Sequence, residues 1–147
     1  MKQKLLNDDK GQRTFAVVLD TGDEVLASLQ AFVTAHRITA AQITAIGAFS
    51  EVTLKYFDWE RKAYLDNAVR EQVEVASLIG DVAVAPSGEA AIHIHAVVGR
   101  RDGSAMAGHL GKALVRPTLE VVVTESPAHL QKRSDPQSGL ALIRLDQ

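Results

Sequence analysis

Five histidines are the residues whose types and spacing suggest chemistry: His36, His93, His95, His109 and His129. The run Ile92-His93-Ile94-His95 carries the most information. In a strand, residues i and i+2 leave from the same face, so both imidazoles emerge side by side, about 7 Å apart at their roots. Ile92 and Ile94 then face the opposite, core side. Two rings so placed can converge on one ion at about 2.0–2.1 Å from each nitrogen. His109 is the natural third ligand: it stands in Gly108-His109-Leu110-Gly111, where the glycines allow a close backbone approach. Three imidazoles and no thiolate suit Zn2+ first, with nickel, cobalt or iron as other divalent choices. A three-histidine site also leaves one coordination position open for water or a small anion. The competing reading is that such a pair is a surface feature, or hydrogen-bonds carboxylates structurally.

Other chemistry is excluded or subordinate. The chain has no cysteine, which removes disulfides, thiolate zinc sites, Fe–S clusters and a thiol nucleophile. Gly111-Lys112 is followed by Ala113, so there is no P-loop, and no dinucleotide fingerprint occurs. Gly103 to Gly108 lacks the spacing of a nucleophile elbow. The cupin pattern needs a Glu soon after the paired histidines, where this chain has Val98, Gly99 and Arg100. If a metal here serves catalysis, it would activate water or polarise a carbonyl, with Glu74 or Glu51 as base. Arg100, Arg101, Lys112 and Arg116 form a basic cluster that reads as a solvated face; set around the metal it would receive an anionic ligand.

The elements that must position these residues follow from periodicity. At 147 residues the chain is one domain's worth, and 46% apolar against 23% charged residues is ordinary globular usage. Thr14–Leu19 reads as a strand and Asp20-Thr21-Gly22-Asp23 as a turn supplying helix N-cap candidates. Val25, Leu26, Leu29, Phe32, Val33 and His36 line one helical stripe. Strands are expected over 42–49 and 51–59 with a kink at Gly47, over 63–69 after a Glu60-Arg61-Lys62 turn, over 71–84 with a bulge or bend at Gly80-Asp81, and over 90–98. Residues 105–115 read as irregular strand or glycine-bent loop, 118–124 as a strand, 126–139 as a polar loop, and 140–145 as a last strand at the sheet edge. A short second helix is expected near Ala128. The class is α+β: a mixed, mostly antiparallel sheet packed with one main amphipathic helix and one or two short ones. It forms a single domain over 1–147 with its core at about 13–125.

Several strings in order, Gly47-Ala48-Phe49-Ser50-Glu51-Val52-Thr53-Leu54, Glu74 to Val82, His93-Ile94-His95-Ala96-Val97-Val98-Gly99, Ala107-Gly108-His109-Leu110 and Pro117-Thr118-Leu119-Glu120-Val121, resemble the plants-and-prokaryotes conserved (PPC) domain family. The resemblance runs from about Phe15 to Thr124. It implies a PPC-like fold, a homotrimer, and a metal, zinc by preference, held by His93, His95 and His109. In plant members the domain accompanies an AT-hook that reads A·T-rich DNA. This chain has no Arg-Gly-Arg-Pro core, and its net charge is −2, so neither an AT-hook nor charge supports DNA as a partner. Ala107 stands where many members carry glycine.

Two function classes follow. The first is a trimeric metal-binding domain with an open coordination position, acting as a small-anion or metabolite binder or as a hydrolase or lyase of unassigned activity. The second is a non-catalytic oligomerisation module of a DNA-associated regulator. Association would cover apolar strand surface at Ala96–Val98 and Val121–Val123 that one helix cannot. The polar start of the chain has no apolar stretch of signal-peptide type, and no membrane partner is expected; a cytoplasmic location is the expectation.

Overall fold

A computed structural model describes residues 1–126 and 130–145. Among them the elements run β1 (Lys2–Asp9), β2 (Gln12–Asp20), α1 (Val25–His36), β3 (Ala41–Asp58), β4 (Ala63–Val69), β5 (Val73–Val84), β6 (Ala90–Gly99), β7 (Ala105–Glu125), β8 (Lys132–Ser134) and β9 (Ala141–Ile143). Seven strands form one sheet in the order β1-β2-β7-β6-β5-β3-β4, and β3 also pairs with β7. The run β3–β5–β6–β7 therefore returns on itself. Pairings between named strands are antiparallel throughout; one isolated parallel bridge joins Val84 to Gln131. The class is the expected α+β, with one helix among the described residues. The short helix expected near Ala128 falls outside them.

The apolar stripe of α1 buries Val25, Leu29, Phe32 and Val33. They meet Phe15, Val17 and Leu19 of β2 and the inner residues of β6 and β7 in one core cluster. Phe15 and Phe32 pack edge to face, with centroids 5.3 Å apart; such a pair adds about 0.5–1.5 kcal/mol beyond its buried area. The helix begins at Glu24, one residue past the expected cap candidates. One of its carboxylate oxygens accepts from Ala27 N at 2.7 Å and the other from Ala113 N at 3.2 Å, which ties the helix start to β7. At the other end Arg37 turns left-handed (φ 54°), and its N–H donates to Thr34 O. Arg13 bridges the two layers: it pairs bidentately with Glu125, itself only 8% exposed, and donates to the free carbonyl of His36.

Several expectations are corrected. Residues 41–58 form one strand rather than two, because bulges near Gly47 and Ser50 absorb the kink without ending the pairing. Residues 105–125 are likewise one 21-residue strand. The bulge in β5 lies at Ala76, not at Gly80-Asp81. It switches the buried face from Val73 and Val75 to Leu78 and Val82, leaving Ile79 57% exposed. Gly80 stays in regular register, and a Cβ there would lie 2.4 Å from His93 O. It is a close-packing glycine rather than a bend. Part of the polar loop, 132–134, is a strand, and it pairs with β9 rather than leaving 140–145 on the main sheet edge. The polar start of the chain pairs with β2 as β1, exposed along its whole length. No helix among the described residues is long and apolar enough to cross a membrane.

Candidate metal centre

The β6–β7 hairpin brings the histidines together. His95 stands opposite His109 in the ladder, and His93 lies two residues back on the same face of β6. That register is set by the connection 100–104. Arg100 N donates to Ser104 O at 2.8 Å, Gly103 N to Arg100 O at 2.9 Å, and Asp102 Oδ1 accepts from both the backbone and hydroxyl of Ser104. The neighbouring strand β3 crosses close behind His109. A Cβ on Gly108 would lie 2.8 Å from Lys55 O, so only glycine admits this approach, as the spacing suggested.

Each of His93, His95 and His109 offers a ring nitrogen, and these nitrogens all lie within 4.8 Å of one another. The Nε2 atoms of His93 and His95 are 3.2 Å apart. Two ligands of a tetrahedral ion with bonds of about 2.0–2.1 Å sit about 3.3–3.4 Å apart, so this spacing matches. Ring centroids are 5.1 Å apart for His93–His95 and His93–His109, and 5.4 Å for His95–His109. His95 is exposed, while His93 and His109 are partly buried. His109 Nδ1 is buried with no hydrogen-bond partner among the described residues. An orphaned imidazole nitrogen costs free energy unless something accepts or binds it. The donor set, its spacing and this orphan all fit a divalent transition metal.

Electrostatics keep the ring nitrogens available. Burial pushes the His109 pKa down to about 4, aided by positive charge on His93, His95, Lys55 and Lys132. Burial and then His93 also lower His95. Both are therefore neutral at pH 7, the form that binds metal. Behind His93 stands Asp81, its direct neighbour across the β5–β6 ladder. Asp81 Oδ2 is 3.4 Å from His93 Nδ1, and Oδ1 is 3.2 Å from Lys132 Nζ. Burial pulls the Asp81 pKa up, but His93 and the Lys132 ammonium outweigh it, so the carboxyl sits below its usual range. A carboxylate behind a ligating histidine fixes its tautomer and orientation. Sequence reading missed both residues. The signal for Asp81 was the strand register opposite His93; Lys132, only 8% exposed, sat in a segment read as loop.

A cleft of about 410 Å³ opens beside the cluster, lined by Tyr64, Asp81, His93 and His109 of the main sheet and by Lys132, Leu142 and Ile143 of the β8–β9 pair. Tyr64 lies against His109, with ring centroids 5.0 Å apart. The other expected ligand-binding residues line different clefts. Glu51 and Lys112 face Arg70 in one; Glu74, Arg100 and Arg101 line another, where Arg100 pairs with Glu71. The structure does not bring these five to the histidines, and the carboxylate beside the cluster is Asp81. His36 is elsewhere, packed against both Phe15 and Phe32, and His129 is outside the described residues.

Similar proteins fit this picture. A Bacteroides thetaiotaomicron protein with a provisional DNA-binding label shares 32% identity and a TM-score of 0.85, covering 93% of this chain and 94% of that one. A metal-containing protein of Archaeoglobus fulgidus shares 30% identity and a TM-score of 0.83, over 98% and 97% of the two chains. A plant- and prokaryote-conserved (PPC) protein of Pyrococcus horikoshii shares 28% identity and a TM-score of 0.85, over 92% and 93%. No curated protein matches the chain. The model of the Plants and Prokaryotes Conserved (PCC) domain matches residues 7–127, from β1 through the whole of β7 and hence across all three clustered histidines. The chain belongs to the Plants and Prokaryotes Conserved (PCC) domain family.

Proposed function

We propose that this domain binds a divalent transition metal, Zn2+ by preference, through His93, His95 and His109, and presents its open coordination position to a small ligand. The observation that carries the reading is the convergence of three ring nitrogens within 4.8 Å, with His109 Nδ1 buried and unpartnered among the described residues. The metal content of the Archaeoglobus fulgidus relative supports it. A bound ion would supply Lewis acidity at its open position. The chain's own residues do the rest. Asp81 accepts from His93 Nδ1–H and so directs Nε2 inward, Lys132 holds Asp81 ionised, and burial keeps His109 neutral. Metal analysis of protein purified without a nickel resin tests this. About one equivalent should be retained, and His93→Ala and His109→Ala should each lose it; metal-free wild type would refute the proposal.

The domain works in this reading as a homotrimer. Support comes from the sheet's outer face, where Ile46, Ile79, Val97 and Val122 are between 38% and 60% exposed. Val121, Val123, Ala96 and Val98 point inward, so only the middle residues of the two expected strips reach that face. Contiguous exposed apolar surface of this kind marks an association site. Sedimentation of the wild type against Ile79→Lys checks it: a trimer that dissociates supports the face, an unchanged monomer removes it.

A second reading, an oligomerisation module of a DNA-associated regulator, draws on the label of the Bacteroides relative. Titration with an A·T-rich duplex at physiological salt discriminates, since tight, salt-sensitive binding would favour it.

A further inference from the structure

The cleft beside the histidines is lined by two chemically different groups of side chains. His93, His109, Asp81 and Lys132 form the polar part of its lining and Ile92, Leu140, Leu142 and Ile143 the apolar part, with Lys132 paired directly to Ile143 across β8–β9. Leu142 and Ile143 lie on the outer pair β8–β9 and are 41% and 37% exposed, which leaves apolar side chains facing an open volume of about 410 Å³. Exposed apolar residues gathered on a concave surface favour an apolar occupant. The polar part favours an anion. Lys132 Nζ lies 3.2 Å from Asp81 Oδ1 and matches its negative charge, so a divalent ion in the cluster would leave this part positive.

We infer that the cleft binds small amphiphilic carboxylates, with the carboxylate at the metal's open position beside Lys132 and a short hydrocarbon chain along Ile92, Leu142 and Ile143. This rests on the metal reading above and names the ligand class for the same site. The occupant must be small, because a cleft of this volume is at the low end of those that enclose drug-sized molecules. Tyr64, its ring tilted 31° against that of His109, lines the cleft beside the polar residues.

The test is calorimetric titration of the zinc-loaded protein with linear carboxylates of increasing chain length, with primary alcohols of equal length as neutral probes. Affinity should rise about fourfold for each added methylene until the apolar lining is covered. The alcohols should bind at least about tenfold more weakly than the matching acids. Ile143→Asp is exposed enough to fold normally; it should keep the metal and abolish the chain-length gain. Replacing Zn2+ by Co2+ gives a second readout, since a carboxylate entering the coordination sphere should shift the visible absorption. Metal retained with affinity independent of chain length, or with acids and alcohols equal, overturns this inference alone. Failure of the wild type to retain metal overturns the reading beneath it as well.

Discussion

His36 and His109 both lie ring to ring with aromatic neighbours, and their surroundings differ in what they leave unsatisfied. The His36 ring sits 4.8 Å from Phe15 and 4.6 Å from Phe32 at the end of α1, and its Nε2 donates to Gln3 Oε1 at 3.0 Å. It finishes the edge of the core and closes a hydrogen bond. His109 sits 5.0 Å from Tyr64, but its remaining ring neighbours are two more imidazoles, and its Nδ1 is buried without a partner. Contact with an aromatic ring therefore does not separate a structural histidine from a proposed ligand. The fate of the ring nitrogens does: one side chain is satisfied within the fold, the other is left for something the fold must recruit.

The comparison breaks most sharply by substitution. His109→Ala should reduce metal affinity by more than the roughly 100-fold ceiling usual for losing a supporting partner, read by competition with a chromogenic chelator. Asp81→Asn keeps all three ligands but weakens the group that orients His93, so about 10- to 100-fold is expected. The same change leaves the Lys132 ammonium buried beside a neutral amide, and the thermal midpoint should fall with it. An affinity equal to wild type in Asp81→Asn would leave that carboxylate a purely structural role.

Acid titration sharpens the contrast further. His109 has a folded-state pKa near 4 against 6.5 unperturbed. Above pH 6.5 it is neutral whether folded or unfolded and adds no slope. Between 6.5 and 4 the unfolded chain takes a proton that the folded chain refuses, so the stability of the metal-free protein should fall as pH drops through that window. His109→Gln should flatten the decline, seen as urea midpoints across pH 7 to 4. Metal occupancy should likewise persist below pH 6, the point at which ordinary imidazoles would begin to release it, because His95 and His109 resist protonation. The smallest effect belongs to His36→Ala. It should cost about 1 kcal/mol from lost ring packing and leave metal affinity within about twofold, since separated sites couple weakly.

The histidine cluster was legible because strand periodicity alone puts His93 and His95 on one face, and because glycines flank His109 where β3 passes. The helix, β2 and β6 were legible from apolar spacing, and β4 from the Glu60-Arg61-Lys62 turn that precedes it. What escaped depends on pairing partners. β1, with its sequence KQKLLNDD, buries nothing and exists through its ladder to β2. Gly47 and Pro117 read locally as breaks, yet β3 and β7 run through them because both flanks pair with each other. Asp81 becomes a partner of His93 only when the β5–β6 register is known, and the bulge at Ala76 that shifts this register has no glycine to announce it. Lys132 carries no local signal; its burial comes from β8 pairing with β9.

The central claim is that His93, His95 and His109 share one metal ion. Diffraction from crystals of protein never exposed to a metal resin, collected on both sides of the zinc absorption edge, tests it most directly. One anomalous peak about 2.0–2.1 Å from a nitrogen of each of the three rings is the predicted result. A well-ordered cluster with no peak, or a peak held by other side chains, would contradict the account.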